Sequence, residues 1–149
     1  MLRLSKLTDY ATVILSHIAK EASQTHTTLC VAEATGIAVP TVSKILKLLV
    51  NAKVLVSTRG IKGGYALAKA PEQISVAEII SALEGPIALT ECSITHEGCE
   101  QASGCGIGGN WALINKAVHN ALEAITLADL IKPVSIVQEY AISVASLYR

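Results

Sequence analysis

Pro40-Thr-Val-Ser-Lys-Ile-Leu-Lys-Leu-Leu-Val-Asn51 is followed, after a short break, by Val54-Leu-Val-Ser-Thr-Arg59-Gly-Ile-Lys-Gly-Gly-Tyr65-Ala-Leu67, and these two runs decide the fold. In the first, Val42, Ile45, Leu46 and Leu49 recur at helical spacing and form one apolar face. Pro40 suits the first turn of that helix, where its missing N–H leaves no bond unmade. Thr41, Lys44, Lys47 and Asn51 fall on the opposite side, with Ser43 at its edge. The second run reads as a β-branched strand, a basic glycine turn and a returning strand, a hairpin. Its glycines permit positive φ and a close approach of backbone to a ligand, while Arg59 and Lys62 supply charge.

Upstream, Leu7, Ala11, Ile14, Leu15 and Ile18 make the stripe of a helix over residues 7–19. A polar link over 23–28 leads to a short helix over 29–35, and Gly36 stands where a helix commonly stops. A short helix, a glycine-bearing turn and a second helix with a basic outer face suit a helix-turn-helix. An ordinary amphipathic pair with solvated lysines fits that segment equally well. The hairpin that follows tips the balance, since a hairpin directly after a helix-turn-helix is the wing of a winged helix. The expected fold is therefore mostly α with a small β-hairpin wing. A nucleotide-hydrolase phosphate loop is a poor rival, because the Gly-Lys-Ser/Thr ending is missing.

Downstream, Pro71 marks a boundary, and Ser75 with Glu78 forms a capping-box pattern. The helix it opens runs to about residue 83, is expected to bury Val76, Ile79, Ile80 and Leu83, and ends at Gly85-Pro86. Residues 110–125 form a longer helix with two adjoining stripes. One is Trp111, Ile114, Val118, Leu122 and Ile125; the other is Leu113, Ala117, Ala121 and Ala124. Together they are wider than the roughly 100° face of a helix packed on one core, which points to a dimerisation helix rather than burial within one chain. Thr126-Leu-Ala-Asp129 caps a short helix ending before Pro133. The expected organisation is a DNA-binding winged helix-turn-helix over 1–70, a linker helix and cysteine-rich loop over 71–109, dimerisation and terminal helices over 110–132, and a tail over 133–149.

Half of the 149 residues are hydrophobic and none is Phe, which favours helices packed through aliphatic ridges. The net charge is zero, yet residues 1–69 carry nine Lys/Arg against three Asp/Glu and residues 70–149 the reverse. A basic half suits a polyanion such as double-stranded DNA. No run reaches the roughly 18 apolar residues of a membrane span. The opening Met1-Leu-Arg-Leu-Ser-Lys lacks a signal peptide's apolar segment, so a cytoplasmic location with reduced thiols is expected.

Three of the four cysteines then stand out: Cys92, Cys99 and Cys105 occupy one glycine-bearing stretch with spacing C-x6-C-x5-C. Thiolates are soft donors suited to iron–sulfur clusters, Zn²⁺ or Cu(I). Structural zinc sites usually pair ligands as C-x2–4-C, so these longer gaps argue against zinc without excluding it. Direct thiol sensing of oxidants is the other alternative. Cys30 stands apart and is expected to be a small buried packing residue. Nothing sets a base or an oxyanion hole beside a cysteine, so an enzyme is not expected.

Leu4-Ser-Lys-Leu-Thr-Asp-Tyr10-Ala, the wing motif Arg59-Gly-x-x-Gly-Gly-Tyr65, Val76-x-Glu-Ile-Ile80, the cysteine triplet, the Trp-led helix and Thr126-Leu-x-Asp-Leu130 follow in that order. This order resembles the Rrf-type family of winged-helix transcription regulators, represented by IscR and NsrR, over residues 1–132. Regulators of iron–sulfur assembly (SUF) operons look nearest. The resemblance implies a homodimer that holds an iron–sulfur cluster on Cys92, Cys99 and Cys105 and reads an inverted-repeat promoter site, most readily as a repressor of SUF or of nitric oxide and oxidative stress genes. It further implies that Thr41, Ser43 and Lys44 meet the major groove and that Arg59 reaches the minor groove; Pro40 is expected in the same DNA-binding set, and Lys47 and Lys62, as basic side chains, are expected to contact phosphate. IscR-like members carry a histidine three residues after the last cysteine, where this chain has Gly108. NsrR-like members use an aspartate from the other subunit, at the position of Asp9. Asp9 is thus the expected fourth ligand and [4Fe–4S] is preferred over [2Fe–2S]. His96 is the alternative ligand, with Glu91, Glu97 and Glu100 behind it; capping or ion pairing at the first helix is the competing role for Asp9.

Overall fold

The computed structural model describes residues 3–61, 63–93 and 105–133. Helix α1 spans Lys6–Lys20, where Ser5 caps the start by accepting the Thr8 N–H. Helix α2 is Thr28–Thr35, capped by Thr27 and closed by Gly36 at φ 69°. Helix α3 is Val39–Asn51. Its end is a Schellman turn: Lys53 N–H reaches Val50 O at 3.0 Å, and Val54 N–H reaches Leu49 O at 2.9 Å. Lys53 takes the left-handed position there, at φ 61°.

The turn delivers the chain into strand β1, Leu55–Thr58, which pairs antiparallel with β2, Gly64–Leu67, in the register Leu55↔Leu67 to Thr58↔Gly64. A single 3-10 turn, Pro71–Gln73, leads to α4, Val76–Glu84. Beyond it come a 3-10 turn at Glu91–Ser93, α5 at Gly108–Glu123 and α6 at Leu127–Ile131. The mostly helical fold with a two-stranded wing is the expected one.

One core unites these elements. Ile14, Leu15 and Ile18 of α1 meet Val42, Ile45, Leu46 and Leu49 of α3, the face read from periodicity, and Val31, Ile74, Ile79 and Leu127 close it. On α4 the expected burial holds for Ile79 and Ile80, but Val76 and Leu83 are half-buried and Ala77 is buried instead. The first turn of α4 is drawn toward α6, since Val76 N–H donates to Ile125 O and Leu127 N–H to Ile74 O, each at 2.8 Å. The capping box at Ser75 is half-formed: Ser75 Oγ accepts from Glu78 N–H, whereas the Glu78 carboxylate leaves to pair with Lys69 at 2.7 Å. The Thr126–Asp129 box is complete.

Glu84, in the last turn of α4, ties that helix to the start of α1. Its Oε1 accepts from Ser5 N–H at 2.8 Å and from the buried Thr8 hydroxyl. These donors, Thr8 first, hold the Glu84 carboxyl below the usual carboxylate value. A lowered folded pKa contributes stability that is fully present above the unfolded value, about 4.3, and is lost as pH falls through the folded one. Glu84→Gln should therefore lower the melting temperature at neutral pH and shrink its fall on acidification between about pH 5 and 3, read by thermal melts across pH. An equal acid dependence in both chains would rule this out.

Candidate functional site

Two surfaces carry the chemistry. The first is built by α2, α3 and the wing. Helices α2 and α3 bend by 118° across their short link, within the range of a helix-turn-helix. With Val42, Ile45, Leu46 and Leu49 committed to the core, α3 turns Lys44 and Lys47 fully outward and leaves Thr41 and Ser43 half-buried at the margin. Pro40 and Val39 are exposed at its first turn, and no side chain caps the helix at Ala38. The Thr41 and Val42 N–H groups already donate to Ala38 O, at 2.9 and 3.0 Å, so the helix start offers a phosphate the hydroxyls of Thr41 and Ser43 and the charge of Lys44.

The wing rises beside them. Gly60, at φ 113°, receives the Gly63 N–H on its carbonyl at 2.9 Å. A Cβ on Gly63 would lie 2.3 Å from Thr58 O, and one on Gly64 would lie 2.8 Å from His26 O, so both positions exclude any side chain. Between the wing and the start of α2 lies a groove lined by the hydroxyl-bearing residues Thr27, Thr28, Ser57 and Thr58 and by Arg59. Hydroxyls converging with one guanidinium suit a phosphate oxygen. Ile61 at the tip is fully exposed and packs on nothing. Sequence reading passed it over; its only signal is an apolar residue isolated between turn glycines. Lys62 lies outside the described residues.

The second surface surrounds the cysteine segment. Cys92 stands in the 3-10 turn Glu91–Ser93, and Cys105 is a free, exposed thiol just ahead of α5. Cys99, His96, Glu97 and Glu100 lie outside the described residues. Asn115, read from sequence only as part of the polar side of α5, holds the stem of this segment. Its Oδ1 accepts the Leu89 N–H and its Nδ2 donates to Ile87 O, both at 3.1 Å. Periodicity gives no sign of such a clamp, because its partners are backbone groups distant in sequence.

Asp9 is exposed in the first turn of α1. The cap of that helix is Ser5, and among the described residues no ion pair involves Asp9. The capping and ion-pair roles that competed for it are therefore unfilled by Asp9. Through the Glu84 bonds, the turn bearing Asp9 is fastened to the end of α4, from which the cysteine segment departs. Three cysteines as soft donors, with an exposed carboxylate available, fit an iron–sulfur centre in donor chemistry.

Helix α5 buries none of its residues. Leu113 is 69% exposed, Ile114 45% and Trp111 36%, so the broad apolar face is not spent among the described residues. Cys30 corrects the expectation of a buried residue: it is exposed. Helix α2 turns Val31 and Ala32 to the core, and their neighbour Cys30, in the first turn, points away.

A family model for Rrf2, described as an iron-dependent transcriptional regulator, matches residues 4–133. The chain belongs to the Rrf2 family. Protein rrf2 of Nitratidesulfovibrio vulgaris is 30% identical over 97% of both chains. Among solved structures, CymR, the global cysteine regulator of B. subtilis, is 30% identical with a TM-score of 0.68, over 88% of this chain and 97% of that one. T. potens IscR is 26% identical with a TM-score of 0.64, over 93% and 95%. This Rrf2 chain is accordingly a winged-helix, DNA-binding transcription regulator, and its relatives are regulators rather than enzymes. Among the described residues no single helix is long and apolar enough to cross a membrane.

Proposed function

We propose that this Rrf2 regulator acts as a homodimeric repressor whose DNA binding responds to an iron–sulfur cluster held by Cys92, Cys99 and Cys105, with Asp9 of the partner subunit as fourth ligand. The observation that carries this reading is the cysteine triplet on a clamped stem, beside a helix with an unspent apolar face. Its donor set and the iron-dependent family description agree. When bound, the cluster would supply sensitivity to oxygen, nitric oxide or iron–sulfur demand. The residues of the chain do the rest. Thiolates anchor strongly, and a carboxylate oxygen holds its iron less firmly, leaving one responsive position. Because Asp9 sits on α1, within the winged-helix domain, a ligand bond across the dimer would set the spacing of the two recognition helices. The genes of the SUF system or of nitric oxide and oxidative stress are the proposed targets.

The organisation follows suit: residues 1–70 bind DNA, 71–109 link and carry the cluster, 110–132 dimerise, and 133–149 form a tail. On DNA, Pro40, Thr41, Ser43 and Lys44 enter the major groove, Lys47 and Lys62 hold phosphate, and Arg59 reads the minor groove. Anaerobic purification tests the cluster. Brown protein carrying iron and acid-labile sulfide, with operator affinity that changes on oxidation, is expected; colourless protein with stoichiometric zinc would sink the reading. A second reading, a thiol-based regulator without a cluster, is favoured by the likeness to CymR, the global cysteine regulator, and predicts reversible loss of DNA affinity on oxidation with no iron bound.

Arg59→Ala should weaken binding to the specific site by about tenfold or more, as expected for one lost base-edge contact, and binding to random DNA much less. Lys47→Ala should weaken both alike and flatten the salt dependence. Equal losses for Arg59→Ala on both DNAs in a titration would refute a reading role for the wing. At the dimer, Ile114→Glu sets a carboxylate on the exposed stripe of α5 and should yield monomers by sedimentation, with operator affinity falling as the second half-site is lost. A dimer that persists would place the interface elsewhere.

A further inference from the structure

His17 on α1, His26 on the link before α2 and Cys30 in the first turn of α2 come together although His17 and Cys30 lie 13 positions apart. One ring nitrogen of each histidine and the Cys30 Sγ lie within 4.8 Å of one another. The two rings meet edge to face at 5.3 Å. His26 is 3% exposed, and its Nε2 sits 3.3 Å from Glu21 O. The Nε2 of His17 is buried and has no hydrogen-bond partner among the described residues. A buried imidazole nitrogen left without a partner ordinarily destabilises the fold, so this arrangement needs an explanation.

We propose that His17, His26 and Cys30 form a second metal site, separate from the cysteine triplet, for a thiophilic divalent cation of the zinc class. Two imidazoles and a thiolate are the donors such an ion takes, whereas Mg²⁺ and Ca²⁺ need oxygen. Donor atoms around tetrahedral zinc stand about 3.3–3.8 Å apart, given its usual bond lengths. Side-chain rotation, freest at the exposed Cys30, closes the remaining distance of about 1 Å. The Glu21 carbonyl fixes His26 in the tautomer with Nε2–H, leaving Nδ1 as its donor, the second-sphere arrangement common to ligating histidines. His17 supplies its unpartnered Nε2, and solvent takes the fourth position beside the exposed thiol. On coordination the Cys30 thiol would release its proton to solvent, and the thiolate would offset one of the two charges of the ion.

The position gives the site a consequence. His26 also exchanges backbone bonds with Tyr65 of β2, at 2.9 and 2.8 Å. An ion there joins α1, α2 and, through His26, the root of the wing.

Cobalt titration of the full chain, followed by absorbance and metal analysis, tests it. The parent is expected to bind one cobalt more per chain than Cys30→Ser. That extra equivalent should show tetrahedral visible bands and a thiolate-to-cobalt charge-transfer band. Zinc should displace it, and His17→Gln should weaken zinc binding by more than about a hundredfold, beyond what losing a mere supporting partner costs. Cys30 is exposed and its replacement leaves the triplet intact, so folding does not confound the comparison. As a second readout, zinc should raise the melting temperature of a chain with Cys92, Cys99 and Cys105 all changed to Ser, by mass action on the folded state, and fail to do so once Cys30→Ser is added. Equal cobalt stoichiometry and spectra in the parent and Cys30→Ser would overturn the site.

Discussion

Cys105→Ser is expected to leave the protein colourless after anaerobic purification, with iron and sulfide content falling by an order of magnitude and cluster-dependent operator binding lost. A hydroxyl is a poor substitute for a thiolate, which is both softer and anionic at neutral pH when metal-bound. Cys105 is free and exposed just ahead of α5, so no packing is lost, and helical content and melting temperature of the metal-free protein should match the parent. Asp9→Ala is the graded counterpart. It removes the oxygen ligand alone, so iron should still load but leave faster under oxygen or nitric oxide. An Asp9→Ala chain with unchanged cluster lifetime and unchanged cluster-dependent affinity would end the cross-dimer coupling. Gly108 offers a gain-of-function check: a Cβ there meets nothing within 4 Å among the described residues, and Gly108→His should restore cluster lifetime to the Asp9→Ala chain.

Gly63→Ala is expected to abolish specific DNA recognition while the domain stays folded. The new methyl would stand 2.3 Å from Thr58 O and 2.8 Å from Gly60 O, both backbone atoms that no rotamer change can move aside. The wing turn must open, releasing the Gly63–Gly60 bond and carrying Arg59 away from the hydroxyl-lined groove. Loss of the wing's base and phosphate contacts together should weaken specific binding by about a hundredfold, from about 1–3 kcal/mol per readout contact plus the phosphate term. The core from Ala11 to Leu127 does not include residues 59–63, so the melting temperature should move little. Retained operator affinity in Gly63→Ala would show that the wing takes no part in reading.

Much of this was legible in the sequence because it is local. The stripe of α3 named four core residues, and all four are fully buried. Gly36, the glycine turn and the Thr126–Asp129 box announced a helix end, a hairpin and a helix start through backbone preferences that act within a few residues. The motif order then named the family, and with it the expected cluster and DNA contacts. The broad apolar face read on α5 is left exposed among the described residues at Leu113 and Ile114.

The errors and omissions share one cause. Cys30 was read as buried because its residue type usually is, yet the neighbouring Val31 and Ala32 determine which side of α2 meets the core. Glu78 promised a capping box, but Lys69, brought close by the path from the wing into α4, competes for its carboxylate.

The amino-acid sequence alone determined the elements, their apolar faces and the family, because periodicity, capping and motif order are written along the chain. Only the tertiary structure decided that Glu84 fastens α1 to α4, that Asn115 clamps the stem of the cysteine segment, and that His17, His26 and Cys30 meet. Those contacts depend on how helices dock and on which way each side chain leaves the backbone, and neither is carried by local spacing.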